Sequence, residues 1–128
     1  MFPDSVVTRI VDGDTFYATV TRSFDFGFHV TTTESSTQRF RLNGCNAAPD
    51  NTPSGAGAWV ALGALMPPDI FCTIASLGPY KYGDEWMADV TLPDGRDVTV
   101  EMIAEQWAAA WNGKGAQPLP PWPRTVSP

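Results

Sequence analysis

Short apolar and β-branched runs, separated by turn residues, define most of this chain. "VVTRIV" at 6–11 enters the pair Asp12-Gly13, and "TFYATVT" follows at 15–21, a pattern that predicts a β-hairpin. Residues 24–37 mix aromatics, Gly27 and a Thr/Ser run and read as a long excursion before the strand "QRFRLNG" at 38–44. After the break "NAAPDNTPSG", Ser54 is the expected N-cap of a helix over 55–66 that two consecutive prolines stop. "IFCTIAS" at 70–76 and "WMADVTL" at 86–92 read as strands, and "PDGRD" at 93–97 as a hairpin turn. A second helix is expected over 98–111, with Val100, Ile103, Trp107 and Trp111 on one stripe and Glu101 and Glu105 off it.

Five strands, one helix after the third and another at the end suggest an α+β fold: a five-stranded OB-type β-barrel with two helices. The domain is expected over 1–112. Residues 113–128, ending "PLPPWPRTVSP", should form a Pro-rich extended tail. No internal repeat is visible.

Composition narrows the function classes. At 128 residues the chain suits one domain with a real core, and no stretch is long and apolar enough for a membrane helix. Its start lacks the pattern of a signal peptide, so a cytoplasmic or virion-associated location is the expectation. Cys45 and Cys72 lie in apolar surroundings and read as buried free thiols. With a single histidine, they offer no recognisable zinc set. A net charge of −6 argues against general affinity for nucleic acid, which normally needs a basic face. No charged residue occurs between Asn51 and Pro68, so the helix there either is covered by the tail, a second copy or a partner, or exposes a merely small side. Phe24, Phe26 and Phe28 alternate in strand fashion and suit core or interface, and His29 should be exposed.

Three segments carry candidate chemistry: "VDGDT" at 11–15, "RFRLNGCNAAPD" at 39–50 and "KYGDEWMADV" at 81–90. In this order and spacing, over roughly residues 5–112, the chain resembles the staphylococcal (thermonuclease) nuclease family. It is most similar to the short members encoded by bacteriophages. The resemblance implies an OB-type barrel and calcium-dependent cleavage of DNA and RNA phosphodiesters. Such chemistry needs a hard cation on a phosphate oxygen, a group that handles water, and fixed positive charge for the phosphorane. By resemblance, Asp14 would be a metal ligand with Asp12 in the outer shell, and Arg41 would hold a phosphate oxygen. Asn46 stands where the family has a second metal-binding aspartate, and the Ala47 carbonyl would complete the metal edge. Asp50 would take the place of the glutamate that handles the water.

The departures from the family pattern weigh against turnover. Ala48 is an inserted residue before Pro49, and Asp50 is one methylene shorter than glutamate. Displacing a carboxylate by an ångström can cost about a hundredfold in rate. Where the family has an arginine after Lys-Tyr-Gly, this chain has Asp84 and Glu85. At an effective dielectric near 20, a unit charge about 5 Å away is worth roughly 3 kcal/mol, and a sign reversal about twice that. Lys81 or Arg39 would have to compensate. The leading expectation is a phage-type nuclease fold with impaired hydrolysis, used as a binding or structural module toward a phage or host protein, or toward itself through residues 55–66 and the Pro/Trp tail. A working calcium-dependent phosphodiesterase is the alternative, and an oligosaccharide or oligonucleotide binder a third.

Overall fold

The computed structural model describes residues 1–48, 52–68, 70–80, 83–114 and 117. In chain order the elements are β1 (Phe2–Ile10), β2 (Thr15–Asp25), β3 (Thr31–Leu42), β4 (Cys45–Ala47), α1 (Pro53–Leu65), β5 (Phe71–Pro79), β6 (Trp86–Thr91), α2 (Val98–Ala104) and β7 (Ala108–Ala110). β1, β2, β3, β6 and β5 close into a barrel in that order, with β3 and β6 parallel and the other neighbours antiparallel. This closed, mixed five-stranded barrel with two helices is consistent with an OB-type α+β fold.

Strand alternation accounts for the core. Phe16, Ala18, Phe40, Leu42, Ile74, Ala88 and Val90 point inward, and the Phe16 and Phe40 rings stack with centroids 5.7 Å apart. Leu62 and Met66, together with Val98 and Met102 of α2, join the same buried cluster. α1 lies at the barrel end that holds the β1–β2 turn, where the Trp59 indole donates to the Ile10 carbonyl at 2.9 Å. Its small residues make that approach close. A Cβ on Gly13 would collide with the Ala58 Cβ and stand 2.8 Å from that of Ala47.

Four expectations change. The excursion at 24–37 is mostly regular strand: β2 and β3 pair without a break from Thr15↔Arg41 to Asp25↔Thr31. Hydroxyl pairs Thr19–Thr37, Thr21–Ser35 and Ser23–Thr33 at 2.7, 3.0 and 3.2 Å line one of its faces. The run that looked irregular is thus a β-branched ladder. The α1 N-cap is Thr52, whose hydroxyl accepts from the Gly55 N–H at 3.0 Å. Pro53 then opens the helix, so Ser54 falls inside it. α2 stops at Ala104 instead of reaching 111, because Gln106 takes a left-handed φ of 64° and Ala108–Ala110 pairs with Cys45–Ala47. The inward face of α2 is accordingly Val98, Thr99 and Met102, while Val100 is exposed. Lastly, the turn at 93–97 leads into α2, with the Asp97 carboxylate accepting from the Val100 N–H at 3.0 Å. Residues 118–128 of the expected tail lie outside the described residues. Before them, the Gln117 amide donates to the Tyr80 hydroxyl at 3.0 Å.

Gly13→Ala should destabilise the protein by about 2 kcal/mol, since α1 cannot retreat without opening the core. Urea denaturation measures it, and an unchanged midpoint would contradict this packing.

Candidate functional site

The β1–β2 turn, the end of β3 and β4 bring four of the six expected site residues into one buried network. The turn is held by the Val11 and Asp12 N–H groups, both donating to the Thr15 carbonyl at 2.9 and 3.2 Å. The register that sets Thr15 opposite Arg41 delivers the adjacent Asp14 to the guanidinium. Asp14 Oδ1 lies 3.1 Å from Arg41 Nη1 and accepts from the Thr15 hydroxyl at 2.9 Å. Asp14 Oδ2 accepts from the Ala47 N–H at 2.9 Å, and Arg41 Nη2 donates to Asn46 Oδ1 at 2.7 Å. Asp14 is 2 % exposed, Arg41 7 % and Asn46 4 %. Asp12 stands behind this group, its carboxylate accepting from the Asp14 N–H at 3.1 Å. Asp50, expected to handle the water, lies outside the described residues, as does Lys81.

Two aromatic rings cover the guanidinium. Arg41 Cζ is 4.8 Å from the Tyr80 ring centroid and 5.7 Å from that of Trp111, and the two rings meet edge to face. Trp111 is held by its N–H on the Gly44 carbonyl at 2.9 Å and its indole on the Lys114 carbonyl at 3.0 Å. Sequence reasoning missed Thr15, Tyr80 and Trp111 as members of this site. The first was legible in "GDT", beside Asp14. Trp111 was not, because its position depends on α2 ending early and β7 joining β4.

The acidic pair in "KYGDEWM" divides. Asp84 is exposed. Glu85 turns back, with Oε1 3.4 Å from Arg39 Nη2 and its carboxylate so close over Gly83 that a Cβ there would collide with it. Arg39, expected to compensate for the acidic pair, is thereby engaged by Glu85. Glu85 Oε2 and the Nε atoms of Arg39 and Arg41 are buried without hydrogen-bond partners.

Burial pushes the Asp14 carboxyl up to about 7, and Asp12 adds to this by its hydrogen bond and its charge. The Arg41 guanidinium and the Ala47 N–H pull the other way. Burial likewise pushes the Cys45 thiol up to about 12 and Cys72 up to about 11, so both free cysteines are protonated and inert near neutral pH.

Calcium takes six to eight oxygen ligands. Here both Asp14 oxygens are already engaged by N–H and O–H donors, and a full positive charge stands 3.1 Å away. Ala47 meets Asp14 through its N–H. Among the described residues no cluster of three or more acidic, histidine or cysteine side chains could hold a metal. This donor set does not fit calcium in the arrangement it adopts. In comparisons with known proteins, the chain matches no family model and no curated sequence.

Arg41→Met removes the counter-charge of the Asp14 carboxylate and should cost about 3 kcal/mol above pH 8, where Asp14 is ionised, and less at pH 5, where it holds its proton. The Asp14 carboxyl sits above its ordinary value of 3.8, so its stabilising contribution is full below that value and is lost as pH rises through about 7. Stability against pH, compared between the wild type and Asp14→Asn, should therefore differ in slope across that window. Parallel curves would contradict the raised value.

Proposed function

We propose that this chain is a staphylococcal-nuclease-like barrel of the short, phage-encoded kind, with impaired phosphodiester hydrolysis, that acts as a binding or structural module. The observation that carries this reading is the closed Asp14–Arg41–Asn46 network. A nuclease of this type needs its carboxylate free for a cation and its guanidinium free for a phosphate oxygen. Here the two groups neutralise each other beneath Tyr80 and Trp111. Opening the pair would cost the fold an ion pair made in low dielectric, before any substrate contact could compensate. The engagement of Arg39 by Glu85 supports the same conclusion, because it leaves the clamp position without a free cation among the described residues. The partner would be a phage or host protein, or another copy of this chain. The acidic charge disfavours nucleic acid.

A working calcium-dependent phosphodiesterase is the second reading. What favours it is the convergence of Asp14, Arg41, Asn46 and Ala47, the residues such an enzyme would use, on one spot. A fluorescent single-stranded DNA substrate, assayed with calcium, magnesium and manganese, separates the two. The first reading expects no cleavage above that of Asp14→Ala. Calcium-dependent cleavage by the wild type that Asp14→Ala abolishes would overturn it, and in that case Asp84→Arg should raise the rate.

A further inference from the structure

Beyond the barrel, β2 and β3 continue as a two-stranded ribbon whose sides face solvent. The register of β1 on β2 begins at Val6↔Thr19, and β6 pairs with β3 only over Phe40–Leu42, so the outer ribbon edges have no ladder partner among the described residues, although Met1–Asp4 share a depression with Thr21–Ser23. At its tip the Phe26 N–H donates to the Val30 carbonyl at 3.0 Å, and Gly27 and His29 take φ of 83° and 58°. This tight loop holds Phe26, Phe28 and Val30 out in water, and Phe28 is 82 % exposed. Asp25 stands at the base of this loop, its carboxylate accepting from the Gly27 N–H at 2.8 Å, and the three large apolar side chains beyond it are costly unless something covers them.

The same ribbon carries a matching hollow at its root. At the barrel end opposite α1, Phe2, Val20, Gln38, Phe40, Ser76 and Trp86 line an open depression of about 310 Å³ that bears no charge. All five barrel strands contribute to it. The tip cannot reach its own hollow. Val20 and Phe26 are six residues apart on one extended strand, roughly 20 Å at about 3.3 Å per residue, and the pairing is unbroken to Asp25↔Thr31.

We infer that two copies of this chain associate by reciprocal exchange, each Phe26–Val30 tip seating in the barrel mouth of the other. Knob and hollow lie on one continuously paired ribbon, so a two-fold axis across its middle brings each tip towards the other copy's hollow, and the assembly closes at two. Charge fits the same axis. Arg22 and Glu34 are cross-strand partners midway along the ribbon, on the face that runs from Val20 to Phe24. About a two-fold axis, Arg22 of one copy meets Glu34 of the other, twice over. The lining of the hollow and residues 26–30 carry no formal charge, with Asp25 at the base of the tip, which matters in a chain of net charge −6 whose copies otherwise repel. This association is independent of the Asp14 site and of whether hydrolysis survives.

Sedimentation velocity of the purified full chain over micromolar concentrations tests it, with a concentration-dependent dimer expected. Phe28→Asp, which touches no core residue, should weaken that dimer by about tenfold or more with an unchanged far-ultraviolet circular dichroism spectrum. Arg22→Glu and Glu34→Arg should each be monomeric alone and form a dimer when mixed, which an effect within one chain would not produce. A wild type that stays monomeric overturns the inference. So does a dimer that survives Phe28→Asp but is lost in Trp59→Ala, since that places the interface on α1. Equal behaviour of the charge variants mixed and alone also overturns it. Phe28-dependent binding of a monomer to phosphatidylcholine–phosphatidylglycerol vesicles would do the same and make the tip a membrane contact.

Discussion

A buried ion pair organises one end of this protein. Asp14 and Arg41 meet at 3.1 Å where water is almost excluded, so each is tolerable only because the other is present. The pair joins the turn after β1 to the end of β3. Through Ala47 and Asn46 it also joins β4, which in turn holds β7 and therefore Trp111. One carboxylate and one guanidinium thus fix the β1–β2 turn to the β3–β4 segment, and β7 follows through its pairing with β4. Gly13 lets α1 close over the same turn, so helix packing and the polar network constrain each other.

That arrangement sets what the site can do. A metal-dependent hydrolase needs charges held ready but unspent. Here the Asp14 and Arg41 charges are directed at each other, and Arg39 and Glu85 form a longer, partly exposed pair at 3.4 Å. Among the described residues, Glu85 Oε2 and the Nε atoms of Arg39 and Arg41 are buried without hydrogen-bond partners. Away from this network, large apolar side chains face outward at the ribbon tip and, as Trp59 and Val60, on α1.

Much of the fold was legible from local pattern. The five barrel strands follow from β-branched and aromatic alternation, and the first helix from an uncharged run between prolines. Misreadings occurred where local signals compete. The Thr/Ser run at 31–37 has polar side chains on both faces, so alternation could not mark it as strand, and only pairing with β2 across hydroxyl contacts reveals it. Residues 98–111 carry a helical stripe, but the chain gains more by turning at Gln106 and giving Ala108–Ala110 to β4. Of the candidate site, Asp14, Arg41, Asn46 and Ala47 were singled out through the resemblance that three motifs carry, and the structure brings them together. Tyr80 and Trp111 were not found, because nothing local says that an aromatic ring will lie across an arginine.

The sequence alone determined the five barrel strands in outline, though not the outer ribbon or the short β4 and β7, and it determined the placement of Asp14 in a turn and of Arg41 on the third strand, the charge-free helix, and the acidic residues after Gly83. These are properties of neighbours along the chain, where period and turn chemistry suffice. Only the tertiary structure decided which charges meet. Whether a carboxylate waits for a cation or closes on a guanidinium depends on register, burial and the rings laid over the pair, and these are settled by contacts between segments that the linear order does not record.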